Sequence, residues 1–185
     1  GVPLWIEEVT RAFLIPGMAE LDLPATHDGI IAARLERLSE GARRILQLCS
    51  VTGSGASRQL LERMAERPAQ LDGWLAELER EDFLYGNGRE QATYTVKHEV
   101  VESVAYHGAL PARRTELHRA AAAAIEELAA ERVVEHYADL SRHWEIAEQW
   151  SKAMQYAEGA GDQAAQIDAN GEAREYYTRA LRAAQ

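Results

Sequence analysis

Phe83-Leu84-Tyr85-Gly86-Asn87-Gly88-Arg89-Glu90-Gln91-Ala92-Thr93-Tyr94-Thr95-Val96 sets two short β-prone runs on either side of an Asn-Gly turn, and so reads as a hairpin. Working back from it, Leu71, Trp74, Leu75 and Leu78 recur at helical spacing. An earlier helix runs from Ser57 to Pro68, and another is capped by Ser39 and runs to about Cys49 before Val51-Thr52-Gly53-Ser54-Gly55 interrupts the pattern. After the hairpin, Glu99 to Tyr106 resumes a helix.

Three helices followed by one hairpin is the chain order of a winged-helix module, expected over residues 28–108. Before it, Leu4, Trp5, Ile6, Val9, Ala12 and Phe13 form the apolar stripe of an amphipathic helix from Pro3 to Leu14. Pro16 to Asp28 then reads as a connector, and Ile30, Ile31, Ala33, Leu35 and Leu38 as a renewed stripe. Beyond Leu110-Pro111 the chain is expected to be purely helical, with Leu117, Ala121, Ala124, Ile125 and Leu128 on one face. Helices follow over Val133 to Trp144, Trp150 to about Gln166, and Gly171 to Ala184. Ala153, Tyr156 and Ala160 return twenty residues later as Ala173, Tyr176 and Ala180. That is helix-repeat packing with an offset shorter than the roughly 34 residues of a tetratricopeptide unit, so residues 109–185 read as a degenerate array of TPR-like antiparallel helices. The expected fold class is therefore mainly α.

The 185 residues are 46% hydrophobic and 27% charged, a globular composition, and carry a formal charge of −10. Such acidity argues against nucleic-acid binding and against an anionic membrane surface. The helix before the hairpin sets Asp72, Glu77, Glu79 and Glu81 against Arg80 alone, so a winged helix here offers no cationic face to DNA. Neither a spanning segment nor a signal peptide is legible, and a lone cysteine, Cys49, in an apolar helical pattern reads as a core thiol of a cytoplasmic protein.

Catalytic motifs do not occur: there is no phosphate-cradling Gly-x-x-x-x-Gly-Lys-Ser/Thr, no nucleophile elbow, no Cys-x-x-Cys and no His-Glu-x-x-His. Among the histidines, His136 and His143 with Asp139 share a helix face, where packing or solvent roles compete with metal binding. His107 and His118 have no partner in spacing, and His27 falls in the connector. His98 opens the helix after the hairpin, where free backbone N–H groups favour an anion; a phosphate contact and a packing role are both open to it. Arg113, Arg114 and Arg119 read as a solvated face pairing with Glu116. Tyr137, Trp144, Trp150, Tyr156 and Tyr176 fit a core, or a partner-binding groove.

Several segments, in order, resemble successive motifs of one family. They are Gly1-Val2-Pro3-Leu4-Trp5-Ile6-Glu7-Glu8, Leu23-Pro24-Ala25-Thr26 with Ile31 to Leu38, Tyr94-Thr95-Val96-Lys97-His98-Glu99 with Ala105-Tyr106, and Arg113-Arg114-Thr115-Glu116-Leu117-His118. The family is that of the STAND signal-transduction ATPases, in the bacterial branch of adenylate/guanylate cyclase homologues and large LuxR-type transcriptional regulators. The resemblance implies a regulatory region that starts at the lid helix and connector of an ATPase module (1–27) and lacks the Walker motifs. The P-loop ATPase domain, binding ATP or ADP with magnesium, would precede it in the same chain, and a protein or small-molecule effector would act on the TPR-like helices. It further implies that Pro3 packs near the adenine and that His98 reaches the ADP β-phosphate in the resting state. Val2 stands where cyclase-like members often have Asn, and Glu99 where the regulators have Asp. Alone, this region would hydrolyse nothing and hold no cofactor. A plain TPR-like adaptor, binding a peptide through Tyr137, Trp144 and Trp150, is the competing expectation.

Overall fold

The computed structural model describes residues 26–53, 55–65, 67–87 and 92–184. The expected lid helix with Pro3, most of the connector and the tip of the hairpin fall outside them. Among the described residues the chain is mainly helical with one small antiparallel sheet. They form two compact units, one of residues 26–58 and 67–109, the other of 59–65 and 110–184.

In the first unit, α1 (His27–Glu36) is capped by Thr26, whose Oγ1 accepts the Gly29 N–H at 3.2 Å. Arg43 closes its other end, donating to the carbonyls of Leu35 at 3.1 Å and Glu36 at 2.6 Å. These are the groups a helix terminus leaves without intrahelical partners. α2 (Glu40–Thr52) begins as its sequence predicts, with Ser39 Oγ accepting the Ala42 N–H at 3.3 Å. Ser39 is fixed in turn by Glu77, which accepts from its backbone N–H at 2.7 Å and its hydroxyl at 2.6 Å.

The next helix starts later and ends sooner than its periodicity suggests. Ala56–Ser57 form a short strand, β1, and α3 spans Arg58–Met64. The Arg58 N–H is drawn to the Ala92 carbonyl at 2.8 Å, which ties β1 to the hairpin. Pro68 ends the helical run by holding Arg67 at φ −136°, ψ 76°, outside the α region, before a 3₁₀ turn at Pro68–Gln70. α4 (Leu71–Arg80) leads into β2 (Leu84–Asn87) through Asp82 at φ +63°, with the Phe83 N–H reaching back to Leu78 O at 2.9 Å. β3 (Thr93–Val96) completes the sheet in the order β1-β3-β2, all antiparallel, pairing Ala56 with Tyr94 and Leu84 with Val96. α5 (Glu99–His107) follows.

The core of this unit is hydrocarbon: Ile31, Ile45, Leu46, Leu71, Leu78, Phe83 and Val101 are each at most 1% exposed. Each such side chain stabilises the fold by about 1.5–3 kcal/mol relative to exposure. Gly41 lets α2 and α4 meet closely, since a β-carbon there would fall 2.0 Å from the Trp74 ring. Arg34, almost buried, donates to Glu81 O at 2.7 Å and lies 4.5 Å over the Phe83 ring. Cys49 is buried as expected, and burial pushes its thiol up to about 12.

The second unit contains residues 59–65 of α3, α6 (Pro111–Ala129), a 3₁₀ turn (Ala130–His136), α7 (Tyr137–Ile146), α8 (Trp150–Gln166) and α9 (Asn170–Ala183). An ion pair between Arg63 and Glu127 joins α3 to α6. The α-helix expected from Val133 begins only at Tyr137, because Ala130 sits at φ +32° and Arg132 leaves helical geometry. The interior is built on alanine: Ala121, Ala122, Ala147, Ala153 and Ala157 are fully buried. The repeat seen in the sequence is a packing repeat, with Ala153, Ala160, Ala173 and Ala180 buried and Tyr156 and Tyr176 half-buried. Arg113 pairs with Glu116 at 3.1 Å on the surface, as its spacing suggests. Among the described residues no helix is long and apolar enough to cross a membrane.

Candidate functional site

His98 occupies the N-cap position of α5 in extended backbone, φ −138°, ψ 135°, directly after β3. Its ring is half-buried and caps nothing; its carbonyl accepts from Val101 at 2.9 Å and Glu102 at 3.1 Å. The imidazole is thus available at the positive end of a helix, the setting in which a phosphate is stabilised. Around it the charge is mixed. Glu99 and Glu102 lie in the first turn, and the adjacent Lys97 is engaged by Asp82. An anion here would be met by the imidazole more than by the acidic first turn. Pro3 lies outside the described residues. An apolar groove of about 180 Å³ runs along the other end of α5, lined by Leu35, Leu46, Val104 and Gly108 with Arg43 at its edge, and does not include His98.

The aromatic residues proposed as a partner surface separate in the second unit. Trp144 is 4% exposed and belongs to the core with Leu140, Ala122 and Ala153, which removes it from any groove. Its indole N–H donates to Glu126 Oε1 at 2.9 Å. The same carboxylate accepts from the Tyr156 hydroxyl at 2.8 Å and from Lys152 at 3.1 and 2.8 Å, while the Lys152 ammonium rests 4.1 Å over the Trp144 ring. Burial alone would raise the Glu126 carboxyl, but the bonds from Lys152, Tyr156 and Trp144 outweigh it and hold it below the usual range. Tyr156 is pushed up, first by burial and then by Glu126. Such a locked carboxylate is a clamp across α6, α7 and α8 and is poorly suited to proton transfer. Tyr137 is half-buried, its ring 5.6 Å from that of Tyr156 and pressed on Gly159, where a β-carbon would lie 2.5 Å from it. Trp150, 51% exposed, is the one of the three proposed contacts open to a partner.

The histidines redistribute as well. His118, without a partner in spacing, meets His143 across the α6–α7 contact with their Nδ1 atoms 2.8 Å apart, both rings buried. This takes His143 away from His136 and Asp139, and no three His, Cys, Asp or Glu side chains gather to hold a metal among the described residues. His107 Nδ1 bonds the Ser103 carbonyl at 2.9 Å, and His27, expected in the connector, is the first residue of α1 and half-buried. A polar cleft of about 250 Å³ opens between α7 and α9, lined by Asp139, Arg142, Glu172, Glu175, Tyr176 and Arg179. Its charge alternates, which suits a ligand bearing both signs. No signal in the sequence marks it, since its residues come from two helices some thirty positions apart.

No protein-family model, curated protein or solved structure matches the chain.

Proposed function

We propose that the chain is the regulatory region of a STAND-type signalling ATPase: a winged helix over 28–108 followed by TPR-like helices over 109–185. The observation that carries this reading is the order helix, strand, helix, helix, hairpin with a sheet ordered β1-β3-β2, followed at once by a helix whose N-cap is His98. That is the arrangement the resemblance implies, with the histidine at a helix mouth. In this reading a P-loop domain of the same protein binds ADP or ATP with magnesium, Pro3 packs by the adenine, and His98 donates to the ADP β-phosphate and stabilises the resting state. Nucleotide exchange releases that contact and shifts a two-state equilibrium, which an effector on the TPR-like helices biases by binding one state better. The cleft between α7 and α9 is the effector site this geometry favours.

The test is ADP dissociation from the intact gene product, wild type against His98→Ala. Faster ADP loss and a raised resting output are expected. Unchanged ADP retention would refute the nucleotide role. Exposed Trp150 favours a second reading, a peptide-binding adaptor; binding of a peptide through Trp150 that is indifferent to ADP in the intact protein would select it.

A further inference from the structure

Beside the apolar cluster of Ala122, Leu140 and Trp144, the α6–α7 contact buries two histidines. His118 and His143 are 0% and 1% exposed, their Nδ1 atoms are 2.8 Å apart, and the rings tilt at 45° with centroids 5.0 Å apart. At that separation one proton lies between the two nitrogens: one ring is the Nδ1–H donor, and the other accepts at Nδ1 and carries its own proton on Nε2. A first added proton preserves this N–H···N bond but puts a positive charge in the interior. A second sets N–H against N–H at a distance where the bond cannot survive.

We propose that the α6–α7 contact is a proton-operated latch, closed while the buried pair shares one Nδ1 proton and released when both rings become imidazolium. The neighbouring charges push the same way. Arg142 of α7 and Arg114 of α6 face the pair with like charge. Of the other charged groups on these elements and those packed on them, Arg113 of α6 pairs with Glu116, Arg119 with the Ala147 carbonyl, Glu126 with Lys152 of α8, Glu145 with Arg179 of α9 and Glu127 with Arg63 of α3, while Asp139 of α7 and Glu172 and Glu175 of α9 line the polar cleft with Arg142. Burial first, then Arg142, holds both imidazoles below their ordinary 6.5. An opened contact therefore takes up protons at a pH where the closed one does not. Closure is complete above 6.5 and weakens as pH falls below it, by up to about tenfold per ring for each pH unit.

The test uses the whole chain, with histidine-ring nitrogen NMR for protonation and amide exchange for opening. At about pH 7.5 one ring should be the Nδ1–H tautomer and the other Nε2–H; at about pH 5, exchange in 118–122 and 140–144 should accelerate at least tenfold relative to 45–49. The double variant His118→Gln with His143→Gln should abolish the acid response. Should it fail to fold, His143→Gln alone, which retains a single titrating ring, should halve the response on a logarithmic scale. Two Nε2–H tautomers at neutral pH, wild-type exchange indifferent to acid, or the full acid response in a variant would each overturn the latch.

Discussion

The two units fill their interiors by different means. Among its described residues the first fills its interior with Ile, Leu and Phe and buries the charged side chain of Arg34, which meets a carbonyl and an aromatic face. The second draws its helices together on alanine with a few large side chains, Leu117, Leu140 and Trp144, and adds polar groups beside them: a histidine pair, and a carboxylate holding an indole, a phenol and an ammonium. Hydrocarbon burial is indifferent to protons and tolerant in direction; hydrogen-bonded burial is directional and is lost when the accepting atom itself takes up a proton. The proposed latch would place the acid-responsive part of the stability in the second unit.

The contrast can be attacked with substitutions of decreasing effect. Phe83→Ala removes a fully buried ring and the platform under Arg34, and should cost about 3–5 kcal/mol in urea unfolding of the first unit. The alanine interior should respond instead to addition: Ala157→Leu, at a fully buried helix contact, should cost about 1–3 kcal/mol by overpacking. A loss under half a kcal/mol there, on the order of a surface change, would mean that the second unit is loosely packed. Ser39→Ala should cost about 1 kcal/mol by removing the α2 cap and one acceptor–donor pair with Glu77, read from the same unfolding curves.

What could be read in advance follows from the range of the interactions. The Ser39 cap, the β2–β3 hairpin and the Arg113–Glu116 pair are local, so a few neighbouring residues specify them, although Asn87, expected in the turn, ends β2 opposite Thr93. β1 is two residues long and exists because Ala56 and Ser57 find Tyr94 and Thr93 across the sheet, which no local pattern encodes. Trp144 and Trp150 look alike in sequence, and only the packing of three helices sends one inside to Glu126 and leaves the other in solvent. The His118–His143 pair joins residues 25 positions apart on separate helices. Its members were visible one by one, and their pairing was not. The place of His98 at a helix mouth, with Glu99 and Glu102 in the first turn, is legible because strand-to-helix punctuation is local, whereas the engagement of Lys97 by Asp82 emerges only with the fold.

The most direct measurement is peptide-resolved hydrogen exchange of the whole chain through a urea series at about pH 7.5 and about pH 5. The urea midpoint of residues 117–144 should fall clearly with acid while that of residues 30–49 stays in place. Midpoints that move together, or a second unit as indifferent to acid as the first, would contradict the division between a hydrocarbon core and a proton-sensitive one.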